Sequence, residues 1–97
     1  MAIELPGSSP RAASVTTASS IVVRENQGRK KLVLCNDGAD VIYVVRGQSA
    51  VINSGIRLPT GAVLVDEPDT LGRMYLGPWS AIVTTTTSVL TISEDGG

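Results

Sequence analysis

Apolar residues along this chain come in short runs, each closed within a few positions by Gly, Pro, Asn, Asp or Ser, and nowhere do they recur at helical spacing. The clearest instance is Arg29 to Gly47, where the runs Leu32–Cys35 and Val41–Val45 flank Asn36-Asp37-Gly38. An Asp-Gly step between β-branched runs predicts a hairpin, with glycine supplying the positive φ of the turn. Both runs are nearly continuous in apolar character. That predicts strands covered on two faces, as at the centre of a sandwich or in a subunit contact.

The same grammar continues on either side. Residues 1–12 hold Pro6, Gly7, Ser8, Ser9 and Pro10 and read as an extended, unpaired arm with Ile3 and Leu5 as apolar anchors. A loose strand and then a firmer one over 19–25 precede the turn Glu25–Gly28. Ala50–Asn53 is a third apolar piece, and Ile56–Leu58, Ala62–Val65 and Arg73–Leu76 are further short strands, separated by Ser54-Gly55, Pro59-Thr60-Gly61 and the acidic loop Asp66-Glu67-Pro68-Asp69. Ala81–Thr84 and Val89–Ser93 form the last pair, joined through Thr85-Thr86-Thr87, and Glu94–Gly97 is a frayed tail. β-Branched threonines lose side-chain freedom in a helix, so this stretch too is extended. Turn signals every 8 to 12 residues predict an all-β sandwich or small barrel of about eight short antiparallel strands over 13–97, behind an arm of 1–12.

Composition narrows the function. A chain of 97 residues is one domain that buries roughly 60–65% of its unfolded surface. Charged residues make up 18%, below the roughly 25% usual for soluble domains, which suits an exterior partly covered by another protein. A net charge of −1 gives no basic excess for nucleic acid. Histidine is absent, removing the commonest general base and metal ligand together. The single cysteine, Cys35, lies in an apolar run and reads as a small buried hydrophobe. The opening residues lack the pattern of a secretory signal, and no run approaches the roughly 18 apolar residues of a membrane span.

Candidate chemistry is sparse. Without histidine a Ser-His-Asp triad cannot form, and a Ser-Lys pair would rest on Lys30 or Lys31, which are read as solvated charges beginning a strand. Carboxylates fall in turns rather than facing one another across a cleft. The Asp66–Asp69 loop lacks the ligand spacing of a calcium loop, and Pro68 stiffens it. No enzyme activity, cofactor or metal is therefore expected. Tyr43, Tyr75 and Trp79 are the aromatics. Tyr43 reads as core, and Trp79 as packing on the sandwich end. Joint exposure of Trp79 and Tyr75 is the alternative that would favour glycan binding. Arg29-Lys30-Lys31 is the sole basic cluster, too short for a nucleic-acid surface and suited to pairing with acidic residues of a neighbour.

Over residues 21–93 the order of these pieces resembles small virion structural proteins of tailed bacteriophages. The likeness rests on Arg29-Lys30-Lys31-Leu32-Val33-Leu34, Asn36-Asp37-Gly38-Ala39, Val41-Ile42-Tyr43-Val44, Ile56-Arg57-Leu58-Pro59-Thr60-Gly61 and a Thr-rich hairpin over Ala81–Ile92. It implies a decoration (cement) protein on the outer capsid surface, made in the host cytoplasm and kept in the virion. The partners implied are the major capsid protein and further copies of the chain in a homotrimer, with no nucleic acid or membrane. Ile3, Leu5, Arg11, Arg29, Lys30 and Lys31 are the expected contact residues. A tail or neck accessory protein, including a receptor- or glycan-binding module, is the alternative.

Overall fold

A computed structural model describes residues 8–47 and 49–96. Eight strands build it: β1 (Ser8–Val15), β2 (Ser20–Val23), β3 (Arg29–Asn36), β4 (Ile42–Arg46), β5 (Ile56–Leu58), β6 (Val63–Asp66), β7 (Trp79–Val83) and β8 (Ser88–Gly96). They form two antiparallel four-stranded sheets, A in the order β1-β8-β3-β6 and B in the order β2-β7-β4-β5. The all-β architecture predicted from the turn spacing is the one observed. Between the sheets lie Val15, Val23, Leu32, Leu34, Ile42, Val44, Leu58, Trp79, Ala81, Val83, Leu90 and Ile92. Alternation delivers them: on β8, Leu90 and Ile92 point inward while Val89, Thr91 and Ser93 point out.

Only β4 and β5 are both consecutive and paired, so the expected hairpin over Leu32–Val45 is instead an arch, with β3 in sheet A and β4 in sheet B. The reason is distance. Packed sheets stand about 10 Å apart, twice the spacing of paired strands, and a two-residue turn cannot cross that gap. Asn36 organises the crossing. Fully buried, its Nδ2 donates to the carbonyls of Asp40 (2.6 Å) and Leu58 (2.8 Å), and its Oδ1 accepts from Gly38 N and Ser88 Oγ. All four bonding positions of the amide are used. Gly38 keeps ordinary negative φ, contrary to the turn geometry expected. Glycine is needed there because a Cβ would meet Ser88 Oγ and the backbone of Val89.

The Thr-rich segment is a second arch rather than a hairpin, since β7 and β8 also lie in different sheets. Asp40 ties the two arches together, its Oδ2 accepting from Thr86 Oγ1 (2.7 Å), Thr85 Oγ1 (2.8 Å) and Thr86 N (3.0 Å). Bonds from the Thr86 and Thr85 side chains hold this exposed carboxyl below its ordinary value.

Residues 8–12 and 94–96 are more ordered than the sequence suggested. Residues 8–12, read as arm, belong to β1 and pair with β8 from Ser8↔Asp95 to Ala12↔Thr91. An edge strand uses alternate backbone groups only, which is where Pro10 is tolerated. Glu94, Asp95 and Gly96, read as a frayed tail, complete β8. Arg73–Leu76 is not a strand, because Asp69 Oδ1 accepts from the amides of Leu71 and Arg73 and turns the backbone away from any ladder. β3 is covered on one side only, so Val33 and Cys35 are half-buried and face outward.

Candidate interaction surface

Three successive lines of side chains cross the outer face of sheet A. Registers place Pro10, Ser93, Val33 and Val65 in one line and Ala12, Thr91, Cys35 and Val63 in the next. Neither line carries a charge. Val63 and Val65 are 58% and 49% exposed, and Val89, beside Ser14, is 42% exposed. A third line, Asp95 beside Lys31, closes the face with charge. Valines on β3 and β6 make a ridge. The small side chains of Ala12, Thr91 and Ser93 leave a shallow open groove of about 400 Å³ along β1 and β8. An antiparallel sheet with one wet face normally carries polar and charged residues there, so this face has the composition of a contact.

The basic cluster is divided by the fold. At the start of β3 the register against β8 slips between Arg29 and Lys31, a β-bulge. Simple alternation would place Arg29 outside with Lys31, Val33 and Cys35; the extra residue turns it inward. Arg29 is buried, donating from Nε to Glu94 Oε2 at 2.7 Å, from Nη1 to the carbonyls of Tyr75 and Gly77 and from Nη2 to that of Arg24. It closes one end of the sandwich and is unavailable to a partner, which corrects its place among the contact residues. Arg11 reaches the same carboxylate, Nη1 to Glu94 Oε1 at 3.3 Å. Burial works to raise the Glu94 pKa, but the Arg29 hydrogen bond, with the charges of Arg29 and Arg11, outweighs it and holds the group below its ordinary value. Lys30 is exposed, and Lys31 Nζ lies 3.4 Å from Glu67 Oε1. Ile3 and Leu5 lie outside the described residues.

Trp79 is fully buried, which removes it as an exposed platform, and Tyr75 is half-buried. Their rings meet edge to face at 6.1 Å, with the Arg46 guanidinium 5.6 Å and 5.5 Å from the two centroids. The Tyr75 hydroxyl donates to Pro78 O. Each carboxylate of the acidic loop has its own cation: Asp66 with Arg46 (3.3 Å), Glu67 with Lys31 (3.4 Å) and Asp69 with Arg73 (2.8 Å). They do not converge. Among the described residues no group of three or more His, Cys, Asp or Glu side chains is placed to hold a metal ion.

Reasoning from sequence missed the outer face of sheet A. A signal for it existed in Ser88 to Asp95, where the alternate set Val89, Thr91, Ser93 is uncharged although it faces outward. Taken alone the set is that of a plain strand, because nothing in one strand shows that the other three of its sheet continue the same uncharged lines. No family model, curated protein or solved structure matches the chain.

Proposed function

We propose that this chain is a structural component of a tailed-phage particle, a decoration protein that sits on the outer capsid surface and is held by the major capsid protein. The observation that supports this most directly is β1. It is an eight-residue strand at the edge of sheet A, continuous with the N-terminal segment and paired only through β8 among the described residues. Unpaired edge groups accept a strand from another chain, giving affinity through the backbone without any pocket. Repeated over a symmetric shell, modest contacts of this kind add up by avidity. The resemblance over 21–93 points the same way. The aromatic corner gives no support to the glycan-binding alternative, because Trp79 is core and Arg46 covers both rings.

Electron microscopy of particles assembled with and without this chain tests the reading. Regular surface density that disappears in the deletion is the expected result. Loss of density confined to the tail vertex would transfer the chain to the tail or neck, and unchanged particles would end the proposal.

A further inference from the structure

The outer face of sheet A is uneven in a particular way. Within its two uncharged lines the valines, Val33, Val63 and Val65, lie on the β3–β6 half and the smaller Pro10, Ala12, Thr91 and Ser93 on the β1–β8 half, while Val89, one line further along β8, is the exception. Its charged line has the same division, with Lys31 on β3, its Nζ also 3.4 Å from Glu67 Oε1, and Asp95 directly opposite on β8.

From this we infer that two copies of the chain pack on each other through this face, about a two-fold axis parallel to the strands and passing between β8 and β3. Such an axis exchanges the two halves of the face. Val65 of one copy then meets Pro10 of the other, Val63 meets Ala12, Val33 meets Ser93 and Cys35 meets Thr91. Each valine finds a smaller group and Cys35 one of its own size, the interdigitation that face-to-face sheets require. The same rotation sets Lys31 against the second copy's Asp95, and Asp95 against its Lys31, giving two reciprocal ion pairs. An isologous contact of this kind is self-complementary by symmetry. It also explains why the uncharged lines stop where they do.

Size and charge agree. Strands β1, β8 and β3 are about eight residues long and β6 is four; about 4.8 Å apart they span roughly 450 Å², so two faces bury on the order of 900 Å², the scale of weak, transient association. A net charge of −1 leaves little long-range repulsion between copies. An interface of this size belongs to the weak, transient class, so pairing is sought at protein concentrations of roughly 10–100 µM. The pairing is two-fold, where the resemblance implied three, and it holds or fails without reference to any particle.

Charge exchange between copies tests it. Sedimentation of the purified chain across that concentration range is expected to show a mass moving from one copy to two. Lys31→Asp sets carboxylate against carboxylate, Asp95→Lys sets ammonium against ammonium, and each variant alone is expected to need at least tenfold more protein to pair. Mixed in equal amounts, the two variants restore both ion pairs, so the mixture pairs at the wild-type concentration. Rearranged charges within one chain cannot produce that recovery. Ile21→Lys, on the outer face of sheet B, leaves the wild-type mass unchanged, and circular dichroism verifies the fold of every variant. A single-copy mass throughout, a mass of three copies, or no recovery on mixing would overturn the assignment.

Discussion

The outer faces of the two sheets have been finished differently. On sheet B, Tyr43 and Ile82 are covered by the chain itself: the loop from β4 to β5 folds back and seats Ala50 against them. Two hydrogen bonds fasten that loop, Tyr43 OH to Asn53 Oδ1 at 2.8 Å and Ala50 N to Ser19 Oγ at 2.7 Å. Asn53 takes a left-handed φ of 63° to make the turn, and Gly55 (φ 87°) approaches Val44 O too closely for a Cβ. Sheet A has no such strap among the described residues, yet two of the three lines across its outer face carry no charge. The contrast teaches that apolar text on an outward face has two origins, a cover supplied by the same chain or one supplied by another molecule. β7 has all five residues buried, whereas β3 alternates.

The largest break in this contrast comes from cutting the chain. Deleting residues 1–12 removes five of the eight residues of β1, and with them Pro10 and Ala12 from the bare face. With hydrogen bonds contributing about 0.5–1.5 kcal/mol each, the loss is about 2–5 kcal/mol. A denaturant midpoint unchanged after this cut would show that β1 does not belong to the folded sheet.

Side-chain truncation compares the faces directly. Ile82→Ala, on the strapped face where the residue is 8% exposed, should destabilise by about 2–4 kcal/mol. Val65→Ala, on the bare face, should cost under about 0.5 kcal/mol in dilute solution, where the chain is a single copy. Equal losses at low concentration would mean that sheet A is covered after all.

These differences explain what was legible in the sequence. Turn residues recurring at short intervals gave the strand number and the all-β class, because Gly and Pro act locally. Pairing was not legible. Asn36-Asp37-Gly38 satisfies hairpin chemistry, and what converts it into an arch is the carbonyl of Leu58 and the hydroxyl of Ser88, 22 and 52 positions away. Arg29 has the same history. Its neighbours Lys30 and Lys31 suggest a solvated cluster, and only the one-residue slip against β8 and the distant Glu94 send it inward. The bare face was hidden for a related reason, since its lines run across four strands drawn from both ends of the chain.

Acid sharpens the comparison at the closed end of the core. Glu94 sits below its ordinary value of 4.5 in the folded chain, despite burial, because Arg29 and Arg11 favour the carboxylate. A lowered folded pKa means that its contribution is complete above that ordinary value and is lost as pH falls through the folded one. Melting temperature should therefore hold between pH 7 and about 5 and fall below it. Asp40 and Asp69, lowered by Thr86 and by the Arg73 amide respectively, add to the same slope. Glu94→Gln should lower the neutral melting temperature and flatten the acid limb. A variant that retained the full wild-type slope would assign the transition to other carboxylates.

The smallest effect examines the strap itself. Tyr43→Phe removes only the hydroxyl that donates to Asn53, leaving the ring on Ile82 and Ala50. One neutral, partly buried hydrogen bond contributes about 0.5–1.5 kcal/mol, so global stability should fall by about 1 kcal/mol. The local consequence is more telling than the global one. Loop amides that exchange slowly because the strap is closed should exchange faster, toward the rate of an open loop, while β4 and β7 amides keep their protection. Protection unchanged throughout the loop would show that Ala50 and its bond to Ser19 hold the cover without Tyr43. The covered face would then owe its finish to apolar packing alone, the same force that sheet A offers to a second copy.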